Sequence, residues 1–521
     1  MVLPLTLSLI TIGVLCGFVA LFLYHWKRLR LYRAAAKFPG PPAYPIIGNS
    51  LIFIGSTADI FKKIIELLDA YPSPFRAWLG GRLFFAVHDP DQAKAIFLSP
   101  KTLEKEDLYK FARPWLGTGI FTAPVTKWRI HRKLIMPTFN QKILESFVDI
   151  FANQSMIMVR EMEVEVDGKE FGIFKYVSLC TLDIICETAM GISMKAQTDN
   201  DCVYVDSATR MFELILTRMF KIWLHPDIIF KFTRLAKEQR QCIKYLHNVT
   251  NNVIQKKKAA LSGTEDSQDN NKENTQDGLR RKIFLDMLME LSHEGTKFTD
   301  EELREEVDTM MIAGNDTTAT VNCFAMLMLA SFPEVQEKVY QELLDIYGPD
   351  DIETALVRNE DLQRMEYLER VIKETLRLFP VGPILVRRVT QDFDIGGHIL
   401  PEGSSVVLGV IKLHRNEDYW PDPFKFDPDR FLPEEVAKRH PYCWVPFSAG
   451  PRNCLGLKYA MMAMKALLST VLRNYKLIKD NPVPVKDIQL KLDVVLKAAK
   501  PVTMRIERRN RKHHTNSNRE L

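Results

Sequence analysis

The stretch that most limits what this chain can fold into is the loop at residues 447–456, which reads Phe-Ser-Ala-Gly-Pro-Arg-Asn-Cys-Leu-Gly. A helical pattern follows Cys454, and the free N–H groups at the start of such a helix favour a thiolate over a thiol. Gly450 permits a tight turn, and Gly456 lets the backbone approach a flat, bulky partner. Arg452 offers a fork of donors that suits a carboxylate.

These features together describe a haem with its two propionates, held by a thiolate that favours cleavage of an O–O bond. The alternative is that Cys454 merely packs in a core, since free cysteines are among the most buried residues. The loop resembles, at every fixed position, the F-x-x-G-x-R-x-C-x-G haem-binding loop of the cytochrome P450 family. The resemblance implies haem b (iron protoporphyrin IX), bound non-covalently apart from a Cys454–iron bond, with Phe447, Arg452 and Gly456 in contact with it.

The resemblance also implies a mainly α fold with a small β portion. The sequence has 521 residues but shows no repeat or domain-splitting linker, so we predict one large domain over residues 49–500. A net charge of +5 is too small for a nucleic-acid binder, and we expect no nucleic acid among its partners. The eight cysteines lack the spacing of a disulfide framework, which indicates a reducing compartment.

The N-terminus reads as a membrane anchor. Residues 3–24 carry no charge over about the length that crosses a hydrocarbon core, and four basic residues between Lys27 and Arg33 follow. A cleaved signal peptide is the alternative, but no small-residue cleavage site is evident. We predict an uncleaved anchor, then a basic stop and stiff proline-rich hinge over residues 25–48. The resemblance to microsomal members implies a single-pass endoplasmic reticulum protein with its catalytic domain in the cytosol.

Hydrophobic periodicity predicts an amphipathic helix over residues 57–72, followed by short strands at Phe75–Leu79 and Phe84–Val87. Residues 262–278 contain no aliphatic or aromatic side chain, which predicts a solvated, disordered loop. Residues 501–521 are basic and polar, and we predict a disordered tail.

Several arginines are candidates for contact with carboxylates. Trp128 and Arg132 are four residues apart and share a helix face, where they could also form an ordinary cation–π pair. The resemblance assigns both to the haem propionates. It also assigns a propionate contact to the arginine that follows Pro380, for which Arg387 fits best and Arg388 is the alternative.

A second chemical motif interrupts a long helix predicted from Thr299 to Phe332. The run Ala313-Gly-Asn-Asp-Thr-Thr places a glycine and polar groups in an apolar helix, which opens a groove. Asp316 and Thr317 could simply satisfy one another in the core. The resemblance instead assigns Thr317 to a hydrogen bond with the oxygen ligand and Asp316 to proton delivery.

The resemblance extends to the fatty-acid ω-hydroxylase branch of the family, in an insect-type form, through the runs Glu306-Val-Asp-Thr and Asp316-Thr-Thr. Many members of that branch carry a glutamate that esterifies a haem methyl group. This chain has Ala313 at that position, so we expect no covalent link to the haem ring.

Glu374 and Arg377 form an E-x-x-R pair on a predicted helix, which in isolation would be a weak surface ion pair. The resemblance joins them with Arg430 in a buried structural network. Breaking such a network destabilises a fold by about 3–5 kcal/mol.

The function implied is a membrane-anchored monooxygenase that hydroxylates or epoxidises apolar small molecules with O2 and NADPH-derived electrons. Fatty-acid-like lipids, volatile signals and xenobiotics all stay open as substrates. The partners implied are NADPH–cytochrome P450 reductase, cytochrome b5 as a further electron donor, and membrane lipid. Candidate pocket residues are apolar: Ile120, Phe121, Met311, Ala313, Val381, Ile384 and Val495.

A basic face of Lys133, Lys458 and Lys465 is a candidate docking surface for an acidic reductase. Two other functions stay open. One is a thiolate-haem isomerase or dehydratase that acts on peroxides, although such enzymes tend to lack the pair Asp316-Thr317. The other is a non-catalytic haem-binding sensor.

Overall fold

A computed structural model describes residues 2–199, 203–265, 283–293 and 298–509, and it confirms a mainly helical fold with small sheets. The helices are α1 Val2–Ala35, α2 Thr57–Ala70, α3 Pro90–Leu98, α4 Arg113–Leu116, α5 Val125–Ile135, α6 Gln141–Glu145, α7 Val148–Glu161, α8 Phe174–Ile185, α9 Ala196–Asp199, α10 Val203–Phe220, α11 Asp227–Lys231, α12 Arg234–Glu265, α13 Phe284–His293, α14 Asp300–Ser331, α15 Pro333–Tyr347, α16 Asn359–Arg364, α17 Glu366–Leu378, α18 Val410–Leu413, α19 Pro433–Ala437 and α20 Leu457–Asn474.

The strands lie beside this helical body. They are β1 Phe75–Leu79, β2 Arg82–Val87, β3 Phe171–Gly172, β4 Leu385–Arg388, β5 Phe393–Asp394, β6 Ile399–Leu400, β7 Ser405–Leu408, β8 Tyr475–Ile478, β9 Leu490–Asp493, β10 Val495–Ala498 and β11 Thr503–Arg508. The largest sheet has the order β1-β2-β7-β4, in which β2 and β7 are parallel and the other pairs antiparallel. Smaller sheets pair β9 with β10, β5 with β6, and β11 with both β3 and β8.

Helix α14 runs through the middle of the core. A capping box begins the helix, because Thr299 accepts from the N–H of Glu302 and Glu302 accepts from that of Thr299. The helix is buried on most faces and packs against α8, α17 and α20. A helix that is buried on most of its faces belongs to the core of a protein.

The anchor helix is longer than predicted and belongs partly to the body. Helix α1 continues without a break to Ala35, and Thr11–Ala35 is long and apolar enough to cross a membrane. The Tyr32 ring lies 5.1 Å from that of Trp78, and Ala35 is buried. The basic stop therefore also packs on the sheet.

The proline-rich segment, which we predicted as a stiff hinge, is bonded to the sheet. The carbonyl of Pro39 accepts from the backbone N–H of Arg76, and that of Pro41 accepts from the Arg76 side chain. Phe38 is buried, with its ring 4.6 Å from that of Phe85. Proline keeps a free carbonyl although it lacks a donor, so β1 can hold the segment against the sheet.

The predicted tail is wrong in its first part. Thr503–Arg508 forms strand β11, whose Met504 and Ile506 are fully buried between polar neighbours. Alternation of buried and less buried residues is typical of a half-buried strand. The basic composition of the segment hides this pattern in the sequence. Arg509 is also bound, by an ion pair to Glu337, whereas residues 510–521 lie outside the described chain.

The predicted disordered loop is likewise shorter than expected, because residues 262–265 belong to α12. The rest of that prediction, up to residue 278, lies outside the described residues.

Candidate active site

The loop before α20 folds back on itself and presents Cys454. Its N–H donates to the carbonyl of Phe447 at 2.8 Å, which closes the loop. Gly450 has φ +68°, and a Cβ there would overlap the carbonyl oxygen of Phe97. A Cβ on Gly456 would instead point into open space, with no atom within 4 Å. The predicted tight turn and the predicted open approach are therefore both features of this loop.

The protein alone does not favour the thiolate of Cys454, contrary to our expectation. Helix α20 begins only at Leu457, and burial raises the pKa of the thiol, opposed by the N–H of Gly456 and the guanidinium of Arg132. Cys454 also keeps exposed surface. The protein therefore packs closely against one side of the residue, and open space lies on the other side. A cation at the sulfur would deprotonate it outright.

Three cationic side chains gather near the cysteine loop, and we call Lys105, Arg387 and Arg452 the cationic cluster. The Nε and Nη1 atoms of Arg452 are buried without a hydrogen-bond partner among the described residues, while its Nη2 donates to the carbonyl of Ala123 at 3.0 Å. Burial lowers the pKa of Arg452 to about 10, with Arg387 adding to the effect. A guanidinium with buried, unpartnered donors is unfavourable unless an anion binds to it.

Arg387 and Lys105 are backbone neighbours across an isolated β-bridge. Arg387 is buried. Within the described part of the chain, the one hydrogen bond that its side chain donates is from Nη1 to the carbonyl of Val386, at 3.1 Å. Burial and the charges of Arg387 and Arg452 lower the pKa of Lys105 well below its ordinary value. Arg388 points outward to an ion pair with Asp107, at 3.0 Å. The geometry thus favours Arg387 over Arg388 as the inward arginine.

Trp128 and Arg132 lie beside the same loop. Arg132 Nη1 donates to the carbonyl of Asn453 at 2.8 Å, and the Arg452 guanidinium lies 4.4 Å from the centre of the Trp128 ring. Helix α5 therefore contacts the cysteine loop through both residues.

These residues fit a haem. The cationic cluster has no acidic partner within 4.0 Å in the part of the chain that the structure describes, and two propionates would supply the missing charge. The space beside Gly456 accepts a flat ring. No group of three His, Cys, Asp or Glu in the described ranges could hold a bare metal ion, whereas a porphyrin needs only one protein ligand.

In the motif at residues 313–318 of α14, Asp316 and Thr317 do not bond to each other. Thr317 Oγ1 donates to the carbonyl of Ala313 at 2.6 Å, one turn back. Asp316 Oδ1 accepts from Lys497 Nζ at 2.6 Å, while its buried Oδ2 has no partner in the described chain. Ala313 is exposed although most of the helix is buried, so an internal space adjoins it.

Gly314 has a packing role. A Cβ there would lie 2.6 Å from Cδ1 of Ile185 in helix α8, so the glycine allows the two helices to approach closely.

Glu374 and Arg377 are fully buried and bonded to each other. Arg377 Nε donates to Glu374 Oε2 at 2.7 Å, and its Nη1 donates to the carbonyls of His414 and Pro423. Arg430 Nε lies 3.6 Å from Glu374 Oε1. The structure brings the three predicted residues together between α17 and the segment that leads to the cysteine loop.

An apolar cavity of about 180 Å³ lies between α2, α10, the main sheet and the β9–β10 turn. We call it the apolar cavity. Its lining includes Phe53, Leu67, Leu68, Trp78, Phe84, Leu108, Tyr109, Leu216, Phe220, Ile384, Val386, Leu492 and Val494. The one acid in its wall, Glu106, is paired with Arg82 at 2.5 Å.

The predicted pocket residues agree only partly with this cavity. Ile384 lines it, and the ring of Phe121 lies 5.6 Å from that of the lining residue Tyr109. Met311 is fully buried and does not line the apolar cavity, so its place in the substrate pocket stays a prediction. Ile120, Ala313, Val381 and Val495 do not line the apolar cavity, and Val381 and Val495 are almost fully buried.

Sequence reasoning missed Lys105 and Lys497. Lys105 lies in the run Glu-Lys-Glu, which reads as a solvated loop. Lys497 follows Val-Val-Leu in a strand, and a lysine at the end of such an apolar run could have drawn attention. Its partner is far away in sequence, so no local pattern could have shown it.

The predicted docking lysines do not act together. Lys133 and Lys458 are exposed. Lys465 is buried, with its Nζ bound to the carbonyl of Leu362 at 2.8 Å and to Glu369 at 2.5 Å. It is therefore a structural residue of α20, and its place in the docking face is withdrawn.

Comparison with known proteins agrees with this geometry. The family profile described as Cytochrome P450 matches residues 38–505. Cytochrome P450 4c3 of Drosophila melanogaster is 40% identical over 474 residues, which are 89% of this chain and 88% of the relative. Cytochrome P450 4c21 of Blattella germanica is 38% identical over 95% of this chain and 97% of the relative. Cytochrome P450 4V2 of Homo sapiens is 37% identical over 94% and 92%.

The family and its relatives cover nearly the whole catalytic body, and they carry haem as the cofactor of a monooxygenase. The chain belongs to the cytochrome P450 family of haem-thiolate monooxygenases.

Proposed function

We propose that this chain is a membrane-anchored monooxygenase that inserts one oxygen atom from O2 into an apolar molecule, with electrons passed from NADPH by a reductase. The observation that carries the proposal is Cys454 beside a cationic cluster that has no acidic partner among the residues the structure describes. A bound haem supplies the oxygen-activating iron. The protein supplies the sulfur ligand, the binding of the propionates and the control of protons.

The sulfur of Cys454 would be the protein ligand of the haem iron. Arg452 and Arg387, with Lys105, would bind the propionates, because none of the three forms an ion pair within the described residues and two donor atoms of Arg452 are buried there without a partner. Arg132 would act through Asn453, which it holds with two hydrogen bonds. Charge-assisted hydrogen bonds of this kind are about twice as strong as neutral ones.

We assign proton control to Asp316 and Thr317. Asp316 is fixed by Lys497 through one oxygen and keeps its second oxygen free to take up or release a proton. The Thr317 proton is directed to the carbonyl of Ala313, so the oxygen of the hydroxyl can accept a further hydrogen bond from the adjoining space. A side chain poised in this way can speed proton transfer by about 10²–10⁴-fold.

The substrate we propose is a slender, apolar molecule such as a fatty-acid-like lipid. The volume of the apolar cavity is smaller than that of most ligand pockets, which measure about 300–1,000 Å³. Glu106 is neutralised by Arg82, so the wall presents no free charge to an entering chain. Volatile signals and apolar xenobiotics satisfy the same conditions.

Membrane attachment is supported by α1, in which Thr11–Ala35 is long and apolar enough to cross a membrane. Large apolar side chains are also exposed on the body, where Ile46, Trp223, Ile228 and Phe232 are exposed by 53%, 46%, 73% and 84%. Apolar surface of this kind is what a lipid or protein partner would cover. We propose that it rests on the endoplasmic reticulum membrane, with the body in the cytosol and the exposed Lys133 and Lys458 free to meet reductase or cytochrome b5.

The experiment is turnover in vesicles that contain the full chain and purified reductase, with ¹⁸O2 and a series of linear lipids. We expect NADPH-dependent product that carries one labelled oxygen atom. Conversion of a lipid hydroperoxide without NADPH, and no labelled product with it, would favour the isomerase function instead. Haem binding with neither activity would favour a sensor.

A further inference from the structure

Two buried titratable side chains, one on α5 and one on α14, have no role in the site described above. His131 of α5 and Glu306 of α14 are 4% and 0% exposed. Nδ1 of His131 lies 2.6 Å from Oε1 of Glu306, and the His131 ring packs 4.5 Å from that of Phe298. Polar side chains are buried at low cost only where their polar atoms are bound, so this contact joins the two helices at a defined point.

The second oxygen of Glu306 binds a loop. Oε2 accepts from the backbone N–H of Ile120 at 3.0 Å. One carboxylate therefore bonds a side chain of α5 and the backbone of the segment at residues 117–121, which we call the glycine loop. Removing the carboxylate would leave two buried donors without a partner.

Glycines press the loop onto α14. A Cβ on Gly119 would lie 2.7 Å from the carbonyl oxygen of Glu305 and would overlap Thr309. Thr118 Oγ1 donates to Glu305 Oε2 at 3.1 Å. The backbone of the loop thus lies flat on the helix, held by both Glu305 and Glu306.

Both ends of this connection lead to the proposed site. His131 precedes Arg132, which binds Asn453 in the cysteine loop. Phe121, which follows Ile120, contacts Tyr109 in the wall of the apolar cavity. A displacement of the glycine loop would therefore move the cavity wall relative to the cysteine.

We propose that Glu306 and His131 are positioning residues that hold the glycine loop in register with the haem side of the site and so determine how an apolar chain is presented for oxidation. This rests on the proposed function. Neither side chain touches the substrate. Their effect is on where the loop lies, and hence on which carbon reacts, rather than on the capacity to activate oxygen.

The first test is amide hydrogen exchange of the haem-loaded full chain, followed in the peptide that contains residues 117–121. Glu306→Leu removes both bonds, and we expect exchange at Ile120 to accelerate at least tenfold. Glu306→Gln keeps an acceptor and a donor, and it should stay within about threefold of the wild type. Thr118→Val removes the hydrogen bond from Thr118 to Glu305 but leaves both bonds of Glu306 in place, and it is the matched control.

The second test separates positioning from general support. Substrate affinity is measured from the haem absorbance change, and product positions are measured for a linear lipid. We expect Glu306→Leu to spread oxidation over more carbons and weaken affinity several-fold, with haem content unchanged and Glu306→Gln restoring the wild-type pattern. If Glu306→Leu does not fold, His131→Leu replaces it, with the same direction and a smaller effect.

Unchanged exchange in the variant that lacks the carboxylate would overturn the proposal, and so would faster exchange with an unchanged product pattern and affinity. A wild type that binds apolar lipids but forms no product would overturn the proposed monooxygenase function alone. Exchange and substrate affinity would still decide whether Glu306 holds the loop.

Discussion

The buried charges of Lys105, Arg387 and Arg452 are arranged for an anion that the described part of the protein does not supply. Burial lowers the pKa of all three groups, and the charges of neighbouring members lower the pKa of Lys105 and Arg452 further. Without a counter-charge the cluster destabilises the fold, and with one it binds tightly. Single substitutions here should therefore have opposite effects on the haem-free and haem-loaded protein.

Arg387→Leu tests this opposition. We expect the free energy of unfolding of the haem-free protein to rise by about 1–3 kcal/mol, since an unpartnered buried cation is removed. Haem release from the loaded protein should become at least about tenfold faster, since a charged buried contact is lost. Denaturant unfolding and haem transfer to an acceptor protein measure the two effects.

Arg388→Leu is the matched control, because its side chain is half-exposed and its ion pair with Asp107 is a surface pair. Both quantities should change little, within about 1 kcal/mol. If Arg387→Leu destabilised the haem-free protein instead, the cluster would not be awaiting an anion.

His414 gives a pH-dependent prediction. Its Nε2 accepts from the N–H of Val445 at 2.8 Å and its Nδ1 lies 3.3 Å from the carbonyl of Leu376, so the neutral ring is bound on both sides. Burial, with help from Arg377, lowers its pKa to about 3. The unfolded chain binds a proton below pH 6.5 that the folded chain excludes, so stability is lost as pH falls from 6.5 towards 3.

His414→Gln can keep both hydrogen bonds without titrating. We expect the variant to lose less stability on acidification, by about 1.4 kcal/mol per pH unit inside that window. Urea unfolding at pH 7, 6 and 5 measures the difference, with the exposed His398→Gln as control. Parallel slopes for His414→Gln and the wild type would contradict the assignment.

Residue by residue, spacing alone could not choose between Arg387 and Arg388. Successive residues of a strand point to opposite faces, so a change of one residue in register exchanges an inward arginine for an outward one. Lys497 was beyond reach for another reason, since its ion pair with Asp316 joins segments 181 residues apart.

At the scale of the elements, the contact between α14 and α8 determines how the oxygen side is built. Gly314 lies where the two helices meet, directly against Ile185. The helix itself and its capping box were predictable from local pattern, because Thr299 and Glu302 are one turn apart. The contact with α8 was not, since glycine in a helix signals flexibility and close packing alike.

Gly314→Ala should destabilise the fold although alanine is the better helix former. The gain in helix propensity is about 1 kcal/mol, whereas overpacking against Ile185 typically costs about 1–3 kcal/mol. We expect Gly314→Ala to lower the thermal midpoint and the combination with Ile185→Ala to recover part of the loss. Strictly additive effects of the two changes would show that they do not touch.

At the scale of the whole molecule, the N-terminal segment and the body are one structure. Composition predicts an apolar helix, a basic run and a proline-rich segment at the N-terminus, but it does not show that they pack on the sheet. Positive charge does not reveal such contacts: Arg30 lies in the basic run, yet its Nη2 also donates to both carboxylate oxygens of Asp392, at 2.7 and 2.6 Å. The same effect concealed β11 in the predicted tail.

Two truncations test this packing. A chain that lacks residues 2–24 keeps Tyr32 and Ala35 on the sheet, and we expect its thermal midpoint to equal that of the full chain in detergent. A chain that lacks residues 2–36 exposes Trp78 and should unfold at a lower temperature, as buried apolar area contributes about 25 cal/mol per Å². Equal midpoints for both truncations would contradict a structural role for the second half of α1.

The central claim is that Cys454 binds the haem iron as a thiolate. The most direct measurement is the difference spectrum of the reduced protein with carbon monoxide, recorded for the full chain in membranes beside Cys454→Ser and the control Cys242→Ser. We predict the strongly red-shifted Soret band of a thiolate opposite carbon monoxide in the wild type and the control, and its loss in Cys454→Ser. The same band in Cys454→Ser, or a band typical of histidine-ligated haem in the wild type, would contradict the account.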